Sequence, residues 1–262
     1  MSNCVLVAVA NKRYIEPAKA LFYGACQTGR WRDDMVLLPL DDVPPDQAHW
    51  FTSRGVTIQR FKSPLPPRGL PLAQAAQFHK LNVFRPFFKQ WKRVIYLDCD
   101  ILLLRDMTAL RSIPTHNALL VDGEDWPTGL ASQFSAAADP KLYQTLLTNF
   151  TDLSQPNFNT SSMVYETTLL EDTTFDTLAS LLKEYLPILK NGDQPVLNLH
   201  FYQRWRQLPP GTIGFFQATH SVDPIGLHFC NWNAPWTLKG TQIETLWREN
   251  LASAERATSL LP

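Results

Sequence analysis

An apolar segment that ends in two closely spaced carboxylates constrains the fold of this chain more than any other feature. Residues 93–98 predict a buried strand, and Asp98 and Asp100 close it with one residue between them. Side chains two apart on a strand project from the same face, so both carboxylates can bind one hard cation. Two bare carboxylates repel each other, and a divalent metal relieves that repulsion and leaves positions for phosphate oxygens. We interpret the segment as a metal site for a diphosphate; the alternative is a strand end whose acidic residues cap a turn.

The composition is that of a globular protein without a charge excess. Hydrophobic residues make up 45% of the 262 residues, which excludes disorder as the main state and allows one large domain or two fused halves. The 24 basic and 24 acidic residues cancel, whereas a nucleic-acid-binding protein usually carries a basic excess. Nucleic acid is therefore not an expected partner.

We expect no signal peptide, membrane span or disulfide framework. The first residues lack the basic segment of a signal peptide, and no stretch approaches the roughly 20 apolar residues of a membrane span. The four cysteines are widely scattered, at Cys4, Cys26, Cys99 and Cys230. We therefore expect a cytoplasmic protein in a reducing environment.

Strands and helices alternate along the chain. Apolar segments predict strands at residues 4–10, 35–40, 56–61, 93–98, 101–104, 118–122, 158–166 and 225–229, with a polar loop at 41–46. Helical periodicity predicts helices at residues 17–27, 72–85, 140–150, 175–189, 193–205 and 241–260. This alternation predicts an α/β fold in which a mostly parallel sheet is flanked by helices. Ligands of such sheets bind beyond the carboxyl ends of the strands, where Asn11, Asp98, Asp100 and Asp122 are placed.

A second potential metal ligand follows a short apolar strand late in the chain. His228 lies near the end of the strand predicted at 225–229. Imidazole is a ligand for borderline metals such as Mn²⁺, and two carboxylates, one imidazole and two phosphate oxygens nearly complete an octahedron. Taken alone, His228 is better explained as a hydrogen-bonded core histidine, and its place beside Asp98 and Asp100 is what favours the metal.

Four further polar residues have a structural explanation beside the functional one. Asp193 and Gln194 follow a helix-ending glycine, and they either reach a sugar ring or only cap the next helix. Asn159 lies in a run of small polar residues that is otherwise a turn or a strand edge. Lys80, on the helix predicted at 72–85, is either a counter-charge for a diphosphate or part of a solvated helix face.

The order of these motifs resembles that of the family 8 glycosyltransferases, over residues 5–236. The similar segments are VAVANKRY (7–14), Lys80 before VIYLDCDILLL (94–104), Asp122, FNTS (158–161), GDQPVLN (192–198) and HFCNWNAPW (228–236). The resemblance implies the nucleotide-sugar glycosyltransferase fold of type A, as a single domain over 1–262. Its nucleotide-binding half would be 1–125 and its acceptor-binding half 126–262.

The resemblance also implies an activity and a set of site residues. The reaction would be the metal-dependent transfer of a hexose, glucose or galactose, from a UDP-sugar to an unidentified carbohydrate or glycoconjugate, with retention at the anomeric carbon. Mn²⁺ is the implied metal, with Mg²⁺ as the substitute, and a homodimer stays open. The implied metal ligands are Asp98, Asp100 and His228. The other implied cofactor-binding residues are Ala8, Asn11, Tyr14, Lys80, Cys99, Asp122 and Asn159. The implied catalytic residues are Asp193 and Gln194.

Departures from the family pattern leave alternatives open. Ala234 and Asn231 stand where the family has a lysine and a glycine, and Ser161 replaces a strand glycine. One alternative is therefore a catalytically impaired nucleotide-sugar-binding protein of the same fold. A second alternative is a haloacid-dehalogenase-type phosphatase, which also carries two closely spaced aspartates after an apolar strand. In that class a hydroxyl residue closely follows the second aspartate, whereas here the apolar residues 101–104 follow it.

Two further expectations concern cysteine and tryptophan side chains. A zinc site of Cys99, His228 and Cys230 is disfavoured, because Cys99 must point away from its flanking aspartates on a strand, as a buried apolar thiol. Tryptophan side chains stack on sugar faces, and four are candidates for the acceptor groove: Trp126, Trp205, Trp232 and Trp236.

Overall fold

Strands and helices alternate as the sequence predicts. The computed structural model describes residues 3–65, 72–123, 129–216, 223–229 and 233–260. The strands within these ranges are β1 (Cys4–Ala10), β2 (Asp34–Pro39), β3 (Thr57–Ile58), β4 (Arg93–Leu97), β5 (Ile101–Leu103), β6 (Leu119–Gly123), β7 (Phe158–Glu166), β8 (Trp205–Gln207), β9 (Ile213–Phe215) and β10 (Gly226–His228). Most of the described strand pairs are parallel, which confirms the predicted α/β class.

Seven α-helices connect these strands in the described part of the chain. They are α1 (Ile15–Gln27), α2 (Pro45–Thr52), α3 (Leu72–His79), α4 (Pro140–Asn149), α5 (Thr174–Tyr185), α6 (Gln194–His200) and α7 (Gln242–Arg256). The α4 start follows the expected chemistry, because Asp139 caps it by accepting a hydrogen bond from Leu142 N and Pro140 takes the first helical position. None of the described helices is long and apolar enough to cross a membrane.

The chain divides into two compact units, each built from separate stretches of sequence. The first comprises Met1–Phe61, Trp91–Pro114 and Pro209–Pro262, and the second comprises Lys62–Gln90 and Thr115–Leu208. The prediction of one domain with halves at 1–125 and 126–262 stays a prediction, and residues 124–128 at its boundary lie outside the described ranges.

In the first unit, four parallel strands lie in the order β3-β2-β1-β4. All but one residue of β1 are buried, as expected for a central strand of a parallel sheet that is covered on both faces. Helices α1 and α7 pack on each other. A smaller sheet has the order β5-β10-β9, in which β10 runs antiparallel to β5 with His228 opposite Ile101.

In the second unit, β6 lies between β7 and β8. It pairs antiparallel with β7 and parallel with β8, and the β6–β7 register shifts between Val121 and Asp122. The side chain of Asn198, on α6, fixes this helix to β7: its Oδ1 accepts from Phe158 N and its Nδ2 donates to Phe158 O, both at 2.9 Å. An apolar cluster fills the interior near α4 and α5, and its buried members are Leu130, Phe134, Leu146, Leu153, Tyr185, Ile188 and Leu199.

Several sequence-based boundaries were wrong. The helix predicted at 72–85 ends as an α-helix at His79, and Lys80–Phe84 forms a short 3-10 helix instead. The predicted loop 41–46 is interrupted by α2, which begins at Pro45, a residue suited to the first helical position. The strand predicted at 56–61 is only the two residues of β3, because Val56 N already donates to Phe51 O. The helix predicted at 193–205 ends at His200. Three residues later, Gln203 adopts a φ of 58°, which a right-handed α-helix does not allow, and Trp205 then begins β8.

Candidate active site

The first unit brings together three potential metal ligands from three strand ends. Asp98 directly follows β4, Asp100 directly precedes β5, and His228 ends β10. One ligand atom from each side chain lies within 4.8 Å of the others, and Nε2 of His228 is 3.6 Å from Oδ1 of Asp100. The antiparallel pairing of β10 with β5 produces this convergence, because it sets His228 opposite Ile101, the residue after Asp100.

Neighbouring groups hold this cluster in place. The phenol of Tyr96, a buried residue of β4, donates a hydrogen bond to Oδ1 of Asp98. The backbone N–H of Phe229 donates to the carbonyl oxygen of Asp100 at 3.2 Å. The ring of Phe215 lies 5.6 Å from the ring of His228. Two carboxylates and one imidazole in such an arrangement fit a divalent ion of the Mn²⁺ or Mg²⁺ type.

The residues expected at the nucleotide lie in the same unit. Oδ1 of Asn11 accepts hydrogen bonds from the backbone N–H groups of Arg13 and Tyr14, at 3.0 and 3.2 Å, and so caps the short helix Lys12–Tyr14. Ala8 is fully buried within β1. Burial, reinforced by the charges of Asp100 and Asp98, raises the pKa of Tyr14 to about 12. The Tyr14 phenol is therefore neutral at physiological pH.

The thiol of Cys99 is directed to the backbone, as expected for a buried structural cysteine. Its Sγ donates to the carbonyl oxygen of Val9 at 3.3 Å, and the residue is only 4% exposed. The cluster that suits a metal contains Asp98, Asp100 and His228. Cys230, the other thiol of the disfavoured zinc site, lies outside the described residues.

In the second unit, Lys80 and Asp193 form a buried ion pair. Nζ of Lys80 lies 3.6 Å from Oδ2 of Asp193, and the two side chains are 8% and 5% exposed. Nζ also donates to the carbonyl oxygen and the Oγ1 of Thr160, at 3.1 and 3.3 Å. The solvated-face explanation of Lys80 is therefore wrong. Asp193 does occupy the N-cap position of α6, but its side chain makes no capping hydrogen bond to this helix.

Asp122 and Asn159 are opposite each other where β6 meets β7. Ser162 donates a hydrogen bond to Oδ2 of Asp122, and Oδ1 of Asn159 accepts from Ser161 N at 2.8 Å. Burial raises the pKa of Asp122 to about 6, although the Ser162 hydroxyl opposes this by stabilising the carboxylate. The Asp122 carboxyl group thus changes its charge between pH 5 and 7.

The raised pKa of Asp122 predicts a pH-dependent stability difference. A carboxyl whose pKa is higher in the folded than in the unfolded chain favours folding below the unfolded pKa, and this contribution is lost as the pH rises through about 6. Wild type should therefore lose on the order of 2 kcal/mol relative to Asp122→Asn between pH 4 and pH 7. Urea unfolding of both proteins across this range measures the difference, and a difference that stays constant contradicts the prediction.

The amide of Gln194 belongs to a buried network that the sequence did not reveal. Its Nε2 donates to Oε1 of Gln133 at 3.1 Å, and Nδ2 of Asn191 donates to the same oxygen at 2.9 Å. Gln133 ends the short helix Leu130–Gln133 and is 1% exposed. Sequence reasoning missed Gln133 because no local motif marks it; only the tertiary fold places it against Asn191 and Gln194.

The tryptophans expected at the acceptor are only partly described. Trp205 packs on Phe158, with ring centroids 5.3 Å apart. Trp236 packs on Tyr14 at 5.8 Å and on Trp247 at 5.3 Å. Trp126 and Trp232 lie outside the described residues, as does Asn231. The two positions that depart from the family pattern and are described, Ser161 and Ala234, are both buried.

Comparison with known proteins identifies the family and the fold. The family model "Glycosyl transferase family 8" matches residues 47–237. A search of curated proteins found no match. Similar solved structures include the apo bifunctional glycosyltransferase WbbM, which is 18% identical with a TM-score of 0.71 over 96% of this chain and 50% of that one. This chain thus spans about half the length of WbbM.

Two further structures are similar over nearly the whole of this chain. The galactosyltransferase LgtC, in complex with donor and acceptor sugar analogues, is 14% identical with a TM-score of 0.67, covering 95% of both chains. GlyE of Streptococcus pneumoniae TIGR4 is 17% identical with a TM-score of 0.64, covering 96% of this chain and 63% of that one. At these identities the likeness shows the fold, which is the predicted nucleotide-sugar glycosyltransferase fold of type A. The relatives give no support to a homodimer.

Proposed function

The chain belongs to glycosyl transferase family 8, and from that premise we propose that it is a metal-dependent, retaining hexosyltransferase. The donor is a UDP-sugar, with glucose or galactose as the hexose, and the acceptor is a carbohydrate or glycoconjugate. The family match favours this over the phosphatase alternative.

The convergence of Asp98, Asp100 and His228 carries the proposal. These residues would hold a divalent ion, Mn²⁺ or Mg²⁺, through two carboxylate oxygens and one imidazole nitrogen. When bound, such an ion supplies positive charge where a diphosphate leaving group develops negative charge. The hydrogen bond from Tyr96 restrains the Asp98 carboxylate, so this ligand keeps its orientation before a donor binds.

The side chains of the second unit supply the interactions with the transferred sugar. The buried Lys80 ammonium is fixed by Thr160 and Asp193, and so provides a pre-oriented positive charge that offsets the negative charge of the diphosphate. Asp193 and Gln194 stabilise the oxocarbenium-like centre, the first with a carboxylate and the second with an amide dipole. Asp122 and Asn159 bind sugar hydroxyls. The acceptor attacks from the face that the diphosphate leaves, and a phosphate oxygen takes its proton, so the configuration is retained without a covalent intermediate.

Hydrolysis of a panel of UDP-sugars, with Mn²⁺, with Mg²⁺ and with EDTA, tests this proposal. We expect slow hydrolysis of a UDP-hexose that requires the metal and yields the retained anomer by proton NMR. An inverted product overturns the retaining mechanism. Binding of UDP with Mn²⁺ but no turnover of any UDP-sugar would instead support the impaired binding protein that Ala234 and Ser161 suggest, and absence of metal-dependent UDP binding overturns the proposal as a whole.

A further inference from the structure

Gln133 is a buried residue whose side-chain oxygen accepts hydrogen bonds from the segment that carries the proposed catalytic pair. Its Oε1 accepts one hydrogen bond from Asn191 and one from Gln194, at 2.9 and 3.1 Å. Its backbone carbonyl accepts a third from Lys190 N at 3.0 Å. Gln133 is 1% exposed, so these bonds form away from water, where a hydrogen bond is stronger than in solvent and an unpaired polar group is costly.

These bonds fix the direction of the Gln194 amide. A primary amide is planar, and its nitrogen only donates while its oxygen only accepts. Because the nitrogen of Gln194 donates to Gln133, the oxygen of the same amide must point to the other side of the group. The backbone of Gln194 is held as well, since its carbonyl oxygen accepts from Nδ2 of Asn198 at 2.9 Å.

We propose that Gln133 is a positioning residue that sets the orientation of the Gln194 amide and thereby presents its oxygen for catalysis. This inference rests on the proposed function, in which the Gln194 dipole stabilises positive charge at the sugar. An amide turned by half a rotation would present its NH₂ group instead, and a donor opposes rather than stabilises such a charge. Gln133 opposes that rotation because its Oε1 also accepts from Asn191, so a Gln133 amide that turned to match a rotated Gln194 would lose the bond from Asn191.

Two substitutions separate positioning from a purely structural role. Gln133→Glu keeps an oxygen at the same place and cannot donate when ionised, so it preserves the direction of the Gln194 amide. Gln133→Met keeps the approximate shape and removes both hydrogen bonds. A buried carboxylate is more costly than a buried thioether, so the glutamate variant should be the less stable of the two but the more active.

We expect Gln133→Met to lower kcat by about 10- to 100-fold with little change in KM, the range seen when groups that orient a functional residue are removed. Gln133→Glu should keep kcat within about threefold of wild type while its Tm falls below that of Gln133→Met. The matched control is Gln144→Met, at an exposed position on α4, which should match wild type in kcat and Tm. The inference fails if kcat follows Tm across the variants, or if Gln133→Met retains full kcat.

A readout that needs no turnover separates this inference from the proposed function. The side-chain NH₂ resonances of Gln194, assigned by their loss in Gln194→Glu, should exchange slowly with solvent in wild type and quickly in Gln133→Met. Unchanged exchange in Gln133→Met overturns the positioning role, whatever the activity. If Gln133 controls this exchange but Gln194→Glu turns over UDP-sugars as well as wild type, it is the catalytic role of Gln194 that fails.

Discussion

We expect Asp100→Ala to abolish the metal-dependent binding of UDP. The substitution removes one of three converging ligands and leaves a carboxylate and an imidazole, too few to hold a divalent ion against water. Loss of a residue that merely orients a ligand costs about 10- to 100-fold in metal affinity, so loss of the ligand itself should exceed about 100-fold. Isothermal titration of UDP, with Mn²⁺ and with EDTA, measures the effect, and turnover of any UDP-sugar should disappear in parallel.

The control for this experiment is Asp41→Ala, which makes the same chemical change at an exposed position of the same unit. It should bind UDP and Mn²⁺ as wild type does. Circular dichroism of both variants establishes that the fold is kept. An Asp100→Ala protein that binds UDP with unchanged, metal-dependent affinity removes Asp100 from the metal site.

Lys80→Met should be the most destabilising single substitution among the predicted site residues. The ammonium lies in a nearly dry environment, where it pairs with Asp193 and donates to Thr160. Removing one partner of a buried ion pair leaves the other charge uncompensated, which costs about 3–5 kcal/mol. Urea unfolding at pH 7 measures the loss. Because Asp193→Asn removes the orphaned charge, the double variant should be less destabilised than the sum of the two single variants.

A surface ion pair of the same residue types provides the matched control. Lys89 and Asp172, in the same unit, are 2.6 Å apart, but their side chains are 38% and 86% exposed. Water screens such a pair, so Lys89→Met should cost at most about 1 kcal/mol. If Lys80→Met costs no more than Lys89→Met, the Lys80–Asp193 pair is not the buried electrostatic interaction inferred from its geometry.

The architecture was predictable where a local pattern determines it. β1 is an unbroken apolar segment and β4 is apolar after Arg93, as expected for parallel strands covered on both faces, and both were placed to within a residue. The start of α4 was predicted correctly at residue 140, where Asp139 caps the helix, and capping depends on neighbours in the sequence. Gln203 escaped prediction because its left-handed backbone conformation carries no marker such as glycine.

The site was predictable only in part, because its energetics depend on tertiary contacts. Asp98 and Asp100 are close on the chain, so the convergence of their carboxylates could be predicted from spacing alone. The environment of Lys80 could not, since a lysine on a helix is usually solvated and only the fold buries it beside Asp193. Gln133 was missed for the same reason, because its partners at 191 and 194 are distant in sequence.

The pairing of β10 with β5 also bears on how the protein matures. His228 reaches Asp100 only after the late segment of the chain has joined a strand made much earlier, and closing such a long loop is slow. If Asp98, Asp100 and His228 hold an ion as proposed, the nascent polypeptide completes this set of ligands only after residue 228 has been synthesised and β10 has paired with β5. In refolding experiments, recovery of Mn²⁺ affinity should lag behind the recovery of helical circular dichroism.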